Sequence, residues 1–103
     1  DIVITGGLNV YPKEVESVIN KLEGIKESAV VGVPHPDFGE AVIAVVIEKE
    51  GVSLRAQDVI LKLKQNIADY KVPKHVLFIK SLPRNAMGKV QKNTLRDTCK
   101  HLF

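Results

Sequence analysis

Apolar positions in this chain recur with two different periods, and the switches between them mark out its elements. The opening "DIVIT" (1–5) is a short β-type run that ends at Gly6-Gly7, with "LNVY" beyond. Asp1–Tyr11 therefore reads as a small hairpin around the glycine pair. Pro12 suits the first turn of a helix, where its missing N–H costs nothing. Glu14 and Glu16 fall near the positive end of that helix's dipole. Val15, Val18, Ile19 and Leu22 recur at i, i+3, i+4 and i+7, a single apolar stripe, and Gly24 stops the helix.

"SAVVGV" (28–33) predicts a strand closed by the loop "PHPDFGE". "AVIAVVI" (41–47) is a continuous apolar run, the length of a buried central strand. "EKEGVS" turns the chain, with Ser53 a candidate N-cap. Ala56, Val59, Ile60, Leu63, Ile67 and Tyr70 trace a second helical stripe that Pro73 would end. "HVLFI" (75–79) predicts a third strand, and 92–101 a short terminal helix carrying Leu95. The order implies a small α+β domain. It has two layers, about three core strands with packed helices, and an N-terminal β-hairpin. There is no internal repeat or linker, so 1–103 is expected to be one unit.

The 103 residues are 45% hydrophobic and 26% charged, ordinary for a globular domain. No apolar run is long enough for a membrane span. A lone cysteine, Cys99, fits a reducing compartment, and a cytoplasmic location is expected. The only methionine is Met87, so the chain reads as a piece of a longer or processed protein.

Charge changes the picture more. Residues 1–70 hold 7 Lys/Arg against 11 Asp/Glu, whereas residues 71–103 hold 8 against 1. A basic third suggests an anionic partner, a nucleotide, a phosphate or a polyanion. A solvated basic surface is the plainer alternative.

Most motif-level readings fail on spacing. "GK" at 88–89 lacks the earlier glycine and following Ser/Thr of a phosphate loop, having Pro83 and Val90 there. His35, His75 and His101 lack metal-site spacing, so no metal is expected. Cys99 has no evident base. The basic third lacks the aromatic interleaving of nucleic-acid readers, which makes nucleic acid an unfavoured partner. A small polyanion-binding module stays open as the alternative. Gly6-Gly7 serves either as a tight turn or as bare backbone against which a ligand can run.

Three stretches in order carry a resemblance: "DIVITGGLNVYPKEVE" (1–16), "AVVGVPHPDFGE" (29–40) and "YKVPKHVLFIKSLPRNAMGKVQKNTLR" (70–96). Together they resemble the small C-terminal domain of the adenylate-forming acyl-CoA synthetases. Their wording is most similar to the malonyl-CoA synthetases. The resemblance implies an AMP-forming acid–CoA ligase. A carboxylic acid and ATP give an acyl-adenylate, and coenzyme A then displaces AMP. ATP with Mg2+ and the acid would be held mainly by an N-terminal domain that 1–103 does not include, the domain's natural partner. The family's hinge residue would lie just before Asp1.

Lys89 matches the family's catalytic lysine, contacting the ATP and acyl-adenylate oxygens. A cation there would offset the repulsion between carboxylate and α-phosphate. Gly6 and Gly7 match the loop that lines the pantetheine path of CoA, Gly6 more loosely. Arg84 and Lys92 take a lesser role, in local charge or loop placement. The resemblance also implies that a lysine acetyltransferase is a partner, since acetylation would cancel the charge of Lys89.

Overall fold

The computed structural model describes all of residues 1–103. Its elements are β1 (Val3–Thr5), β2 (Leu8–Val10), α1 (Pro12–Ile19), β3 (Ile25–His35), β4 (Gly39–Glu48), α2 (Ala56–Lys64), β5 (His75–Phe78) and α3 (Lys92–Cys99). Short 3-10 turns follow at Asp69–Lys71 and Lys100–Leu102. The small α+β domain predicted from periodicity is the one observed. No helix is long and apolar enough to cross a membrane.

The centre is β4. Every residue from Ala41 to Ile47 is at most 5% exposed. Antiparallel β3 lines one edge of β4 from Gly39 to Glu48. On the other edge β1 meets it at Gly39, and β5 runs parallel to Ile43–Val46. The predicted N-terminal hairpin thus joins the three core strands in a single five-stranded sheet. A parallel neighbour requires a crossover, and α2 supplies it between β4 and β5.

Both faces of the sheet are covered, which explains why the β4 run is apolar without alternation. Val42, Ala44 and Val46 pack with Val15 and Ile19 of α1 and with Val59 and Leu63 of α2. Ala41, Ile43, Val45 and Ile47 pack on the opposite side with Leu82, Leu95 and Cys99. The predicted helical stripes therefore face one layer, as expected. The terminal helix α3 goes to the other face, so the sheet carries a cover on each side instead of the expected two layers.

Local differences from the sequence reading have local causes. Strand β3 runs on through Pro34 to His35, and the loop shrinks to Pro36–Phe38. Pro34 shares the parity of Val30, whose N–H points to the free edge of β3, so the missing proline N–H removes no ladder bond. His35 Nδ1 accepts from the N–H groups of Asp37 (3.0 Å) and Phe38 (3.2 Å), tying the turn. Ser53 is not the cap of α2. Leu54 N–H donates to the Glu48 carboxylate, and Arg55 is the residue before the helix. Nor does Pro73 end α2, which stops at Lys64. Asn66 Nδ2 donates to Lys62 O (2.7 Å), and Tyr70 lies beyond, half-exposed in a 3-10 turn.

The β1–β2 hairpin leans on the sheet through a glycine that periodicity does not single out. A Cβ on Gly32 would lie 2.8 Å from Val3 Cγ1 and 2.9 Å from Glu40 Oε2. Glu40 Oε1 also accepts the Ile4 N–H at 2.8 Å. Gly32→Val should overpack this seat and destabilise the domain by about 1–3 kcal/mol. Thermal unfolding checks it, and adding Val3→Ala should recover part of the loss. An unchanged melting temperature would refute the close-packed seat.

Candidate active-site arm

The candidate site is the segment Ser81–Gln91, a preformed arm and not a loose loop. Leu82 anchors its base in the core beside Leu95 and Cys99. Pro83 O accepts from Gln91 N–H (2.7 Å), and Arg84 and Val90 form an antiparallel bridge. Asn85 N–H donates to Lys89 O (2.9 Å), and Gly88 N–H donates to Asn85 O (2.9 Å). Gly88 has φ +83°, a left-handed conformation that favours glycine.

Asn85 does the remaining backbone work. Its Oδ1 accepts from both Met87 N–H (2.9 Å) and Lys89 N–H (3.0 Å). Arg84 clamps the turn from the other side, with Nη1 donating to Gly88 O at 2.9 Å. Its Nη2 pairs with the Glu27 carboxylate on β3. Neither Asn85 nor Glu27 was singled out from the sequence. An Asn three residues before a Gly-Lys, able to bond the backbone N–H groups two and four residues on, was the signal for the first. Glu27 gives no signal, because its partner is 57 residues away.

Lys89 itself is exposed and has no ion-pair partner. Most other cations of the basic third do have one. Lys71 Nζ bonds Glu14 (2.9 Å), Lys92 Nζ bonds Glu16 (2.8 Å), and Arg96 Nη2 bonds Asp1 (3.0 Å). Lys100 stands 4.0 Å from Asp97, and Lys74 sits over the Phe38 ring at 4.7 Å. The Glu14 hydrogen bond raises the Lys71 pKa above its ordinary value, against an opposing effect of burial. Lys92, given a lesser role from sequence, joins α3 to α1, and Glu16 also accepts the Val30 N–H at 2.8 Å.

An open cleft of about 730 Å3 lies beside the arm, lined by Ile2, Tyr11, Lys13, Arg84, Lys89 and Lys92, among others. Gly6 and Gly7 lie elsewhere, at the tip of the β1–β2 hairpin. Their φ values of +55° and +81° are those of a two-residue turn with both central residues left-handed. The turn alone accounts for both glycines. Nothing lies within 4 Å of the Cβ positions they lack, so the tip faces open space. Gly6 lines a smaller pocket with Thr5, Leu8, Phe38, Asp69, Tyr70 and Lys74. The structure does not bring Lys89 and the glycine pair into one pocket.

No three His, Cys, Asp or Glu side chains gather as metal ligands. Cys99 is buried in the α3 interface, and burial pushes its thiol pKa up, the opposite of a reactive cysteine.

This geometry defines a small domain that offers one uncompensated lysine on a braced arm. Residues 14–89 match the model of the AMP-binding enzyme C-terminal domain, and the chain belongs to that family. It is 50% identical over 97 residues to the 3-[(3aS,4S,7aS)-7a-methyl-1,5-dioxo-octahydro-1H-inden-4-yl]propanoyl:CoA ligase of Rhodococcus jostii, covering 94% of this chain and 19% of that protein. It is 45% identical to the indoleacetate--CoA ligase of Aromatoleum aromaticum, with the same coverage. Apo MatB from Rhodopseudomonas palustris superposes with a TM-score of 0.96 at 55% identity, covering 99% of this chain and 20% of that one. The ATP-bound structure of MatB gives the same TM-score. The chain thus spans about a fifth of the length of the curated relatives it matches.

If the Asn85 carboxamide braces the arm, Asn85→Ala should loosen it without touching the core. Losing two hydrogen bonds, about 1 kcal/mol each, should speed amide exchange at Met87 and Lys89 by about tenfold or more. Exchange in β3 and β4 should stay unchanged. Equal protection in both proteins would refute the brace.

Proposed function

We propose that the chain is the C-terminal domain of an ATP-dependent acid–CoA ligase and that Lys89 is its catalytic cation. The observation that carries the reading is the combination just described: a backbone held by Asn85, Arg84 and Gly88, and an ammonium with no carboxylate of its own. Family membership and likeness to acid–CoA ligases support it. In the first half-reaction a carboxylate oxygen bonds to the α-phosphorus of ATP and pyrophosphate leaves. Two anions must approach, and Lys89 would lower that repulsion from a site completed by the N-terminal domain. Mg2+ on the phosphates would be held mainly by that other domain. In the second half-reaction the CoA sulfur bonds to the acyl carbon and AMP leaves.

The acid is proposed to be malonate, on the wording of the three sequence stretches and the likeness to MatB. The Gly6-Gly7 tip would face the pantetheine arm of CoA, supported by the open space above both glycines. A single buried thiol fits a reducing compartment such as the cytoplasm. Exposure also leaves Lys89 open to an acetyltransferase, and acetylation would cancel its charge.

In the full-length enzyme assayed with malonate, Lys89→Ala should lower the rate of adenylate formation by about a hundredfold or more. Thioester formation from supplied acyl-adenylate should persist. Lys89→Gln, neutral like acetyl-lysine, should behave the same way. Equal loss of both half-reactions would sink the assignment, and no turnover of malonate would remove that acid.

Gly6 allows the complementary test, because Asn tolerates the left-handed conformation there and Asn-Gly is a favoured pair for this turn. Gly6→Asn should keep the fold, slow the thioester step by about tenfold, and leave adenylation within about twofold. An intact thioester step would refute the CoA-facing tip.

A further inference from the structure

We infer that Glu27 and Arg84 form a positioning pair for the Lys89 arm, a strut that runs from the edge of the sheet to the turn that carries the lysine. This rests on the proposed role of Lys89 and adds Glu27 to it, as the anchor on the sheet that holds the Arg84 clamp in place.

The strut begins with an irregularity in β3. Ile25 pairs with Glu48, but Glu27 pairs with Ile47, so Lys26 is an extra residue against β4. Simple alternation would put Ile25 and Glu27 on one face. The bulge separates them. Ile25 packs into the cluster with α1 and α2, while Glu27 keeps the parity of Ala29, Val31 and Val33 and faces the side of α3 and the arm. A bulge that re-aims one side chain is a common device beside functional sites.

Arg84 then spans the gap. One guanidinium nitrogen meets the Glu27 carboxylate, and the other donates to Gly88 O at 2.9 Å. That carbonyl belongs to the peptide bond leading into Lys89. The planar fork of arginine serves two acceptors at once, which a lysine ammonium on its flexible stem does less rigidly. The Arg84–Val90 bridge holds the backbone of the same residue across the arm. The pair is half-exposed on both sides, so its contribution to global stability is small and its effect is on orientation.

The experiment uses the full-length enzyme and whichever acid gives the highest kcat/KM among malonate, methylmalonate, short fatty acids and aryl acids. Arg84→Ala should lower kcat for adenylate formation by about tenfold or more, with KM for ATP and acid within about twofold. Thioester formation from supplied acyl-adenylate should be unchanged. Glu27→Gln, whose amide oxygen still accepts, should cost less than Glu27→Ala, and Arg84→Lys should fall between wild type and Arg84→Ala. In a Lys89→Ala background, Arg84→Ala should cause no further loss, because there is no cation left to position. General damage to the fold would add its loss in either background. Arg84→Ala with wild-type adenylation, or with a loss that adds fully to that of Lys89→Ala, overturns the pair alone. Full adenylation by Lys89→Ala overturns the underlying role of the lysine and the pair with it.

Discussion

The double burial of β4 is the constraint from which the rest of the domain follows. A strand with apolar side chains on both faces must be covered twice, and its two edges must both find partners. The antiparallel partner β3 is supplied by the three-residue loop Pro36–Phe38. The parallel partner β5 needs the longer crossover through α2. Two helices fill one face, and the other is left to whatever follows β5. That is why Leu82, Leu95 and Cys99 lie where they do. The arm Ser81–Gln91 is strung between two points of that second cover, so it is held at both ends by the core while its middle stands in solvent.

Folding also rearranges the charge. Along the sequence the acidic residues lie early and the cations late. In space Lys71 returns to Glu14, Arg84 to Glu27, Lys92 to Glu16 and Arg96 to Asp1. Half of the eight cations of the basic third are therefore paired with the acidic part, which weakens the reading of a polyanion-binding module. Exposed pairs of this kind add little stability each. They do join segments far apart in the chain, and so they fix how the arm, α3 and the β1 entry sit on the sheet.

Much of this was legible in the sequence because it depends on short-range pattern. The stripes Val15–Ile19 and Val59–Leu63, the apolar run of β4 and the turn at Gly6-Gly7 each announce themselves within a few residues. What was missed depends on distant partners. The start of α2 is set by Glu48 bonding Leu54, the bulge at Lys26 by pairing with β4, and the side taken by α3 by which face α1 and α2 leave open. At the candidate site Lys89 and the left-handed glycine could be read from the motif. The Asn85 bonds could have been, since they are local. The Glu27 contact could not, because nothing near residue 27 refers to residue 84.

Why, then, would a domain brace a backbone with such care and leave the side chain it carries free? A carboxylate within reach of Lys89 would compete with any incoming anion, and displacing it would cost part of the attraction the cation offers. Under the proposed role, leaving the ammonium unpaired would keep its full charge for an anion outside the domain. The cost is side-chain freedom, since an unpaired lysine samples many rotamers and loses that entropy on engagement. Holding the Cα rigid limits this cost to the side chain. Asn85, Gly88 and the Arg84 clamp stop the search at the backbone, so that only the stem of the lysine would remain to be ordered on meeting the anion proposed for it.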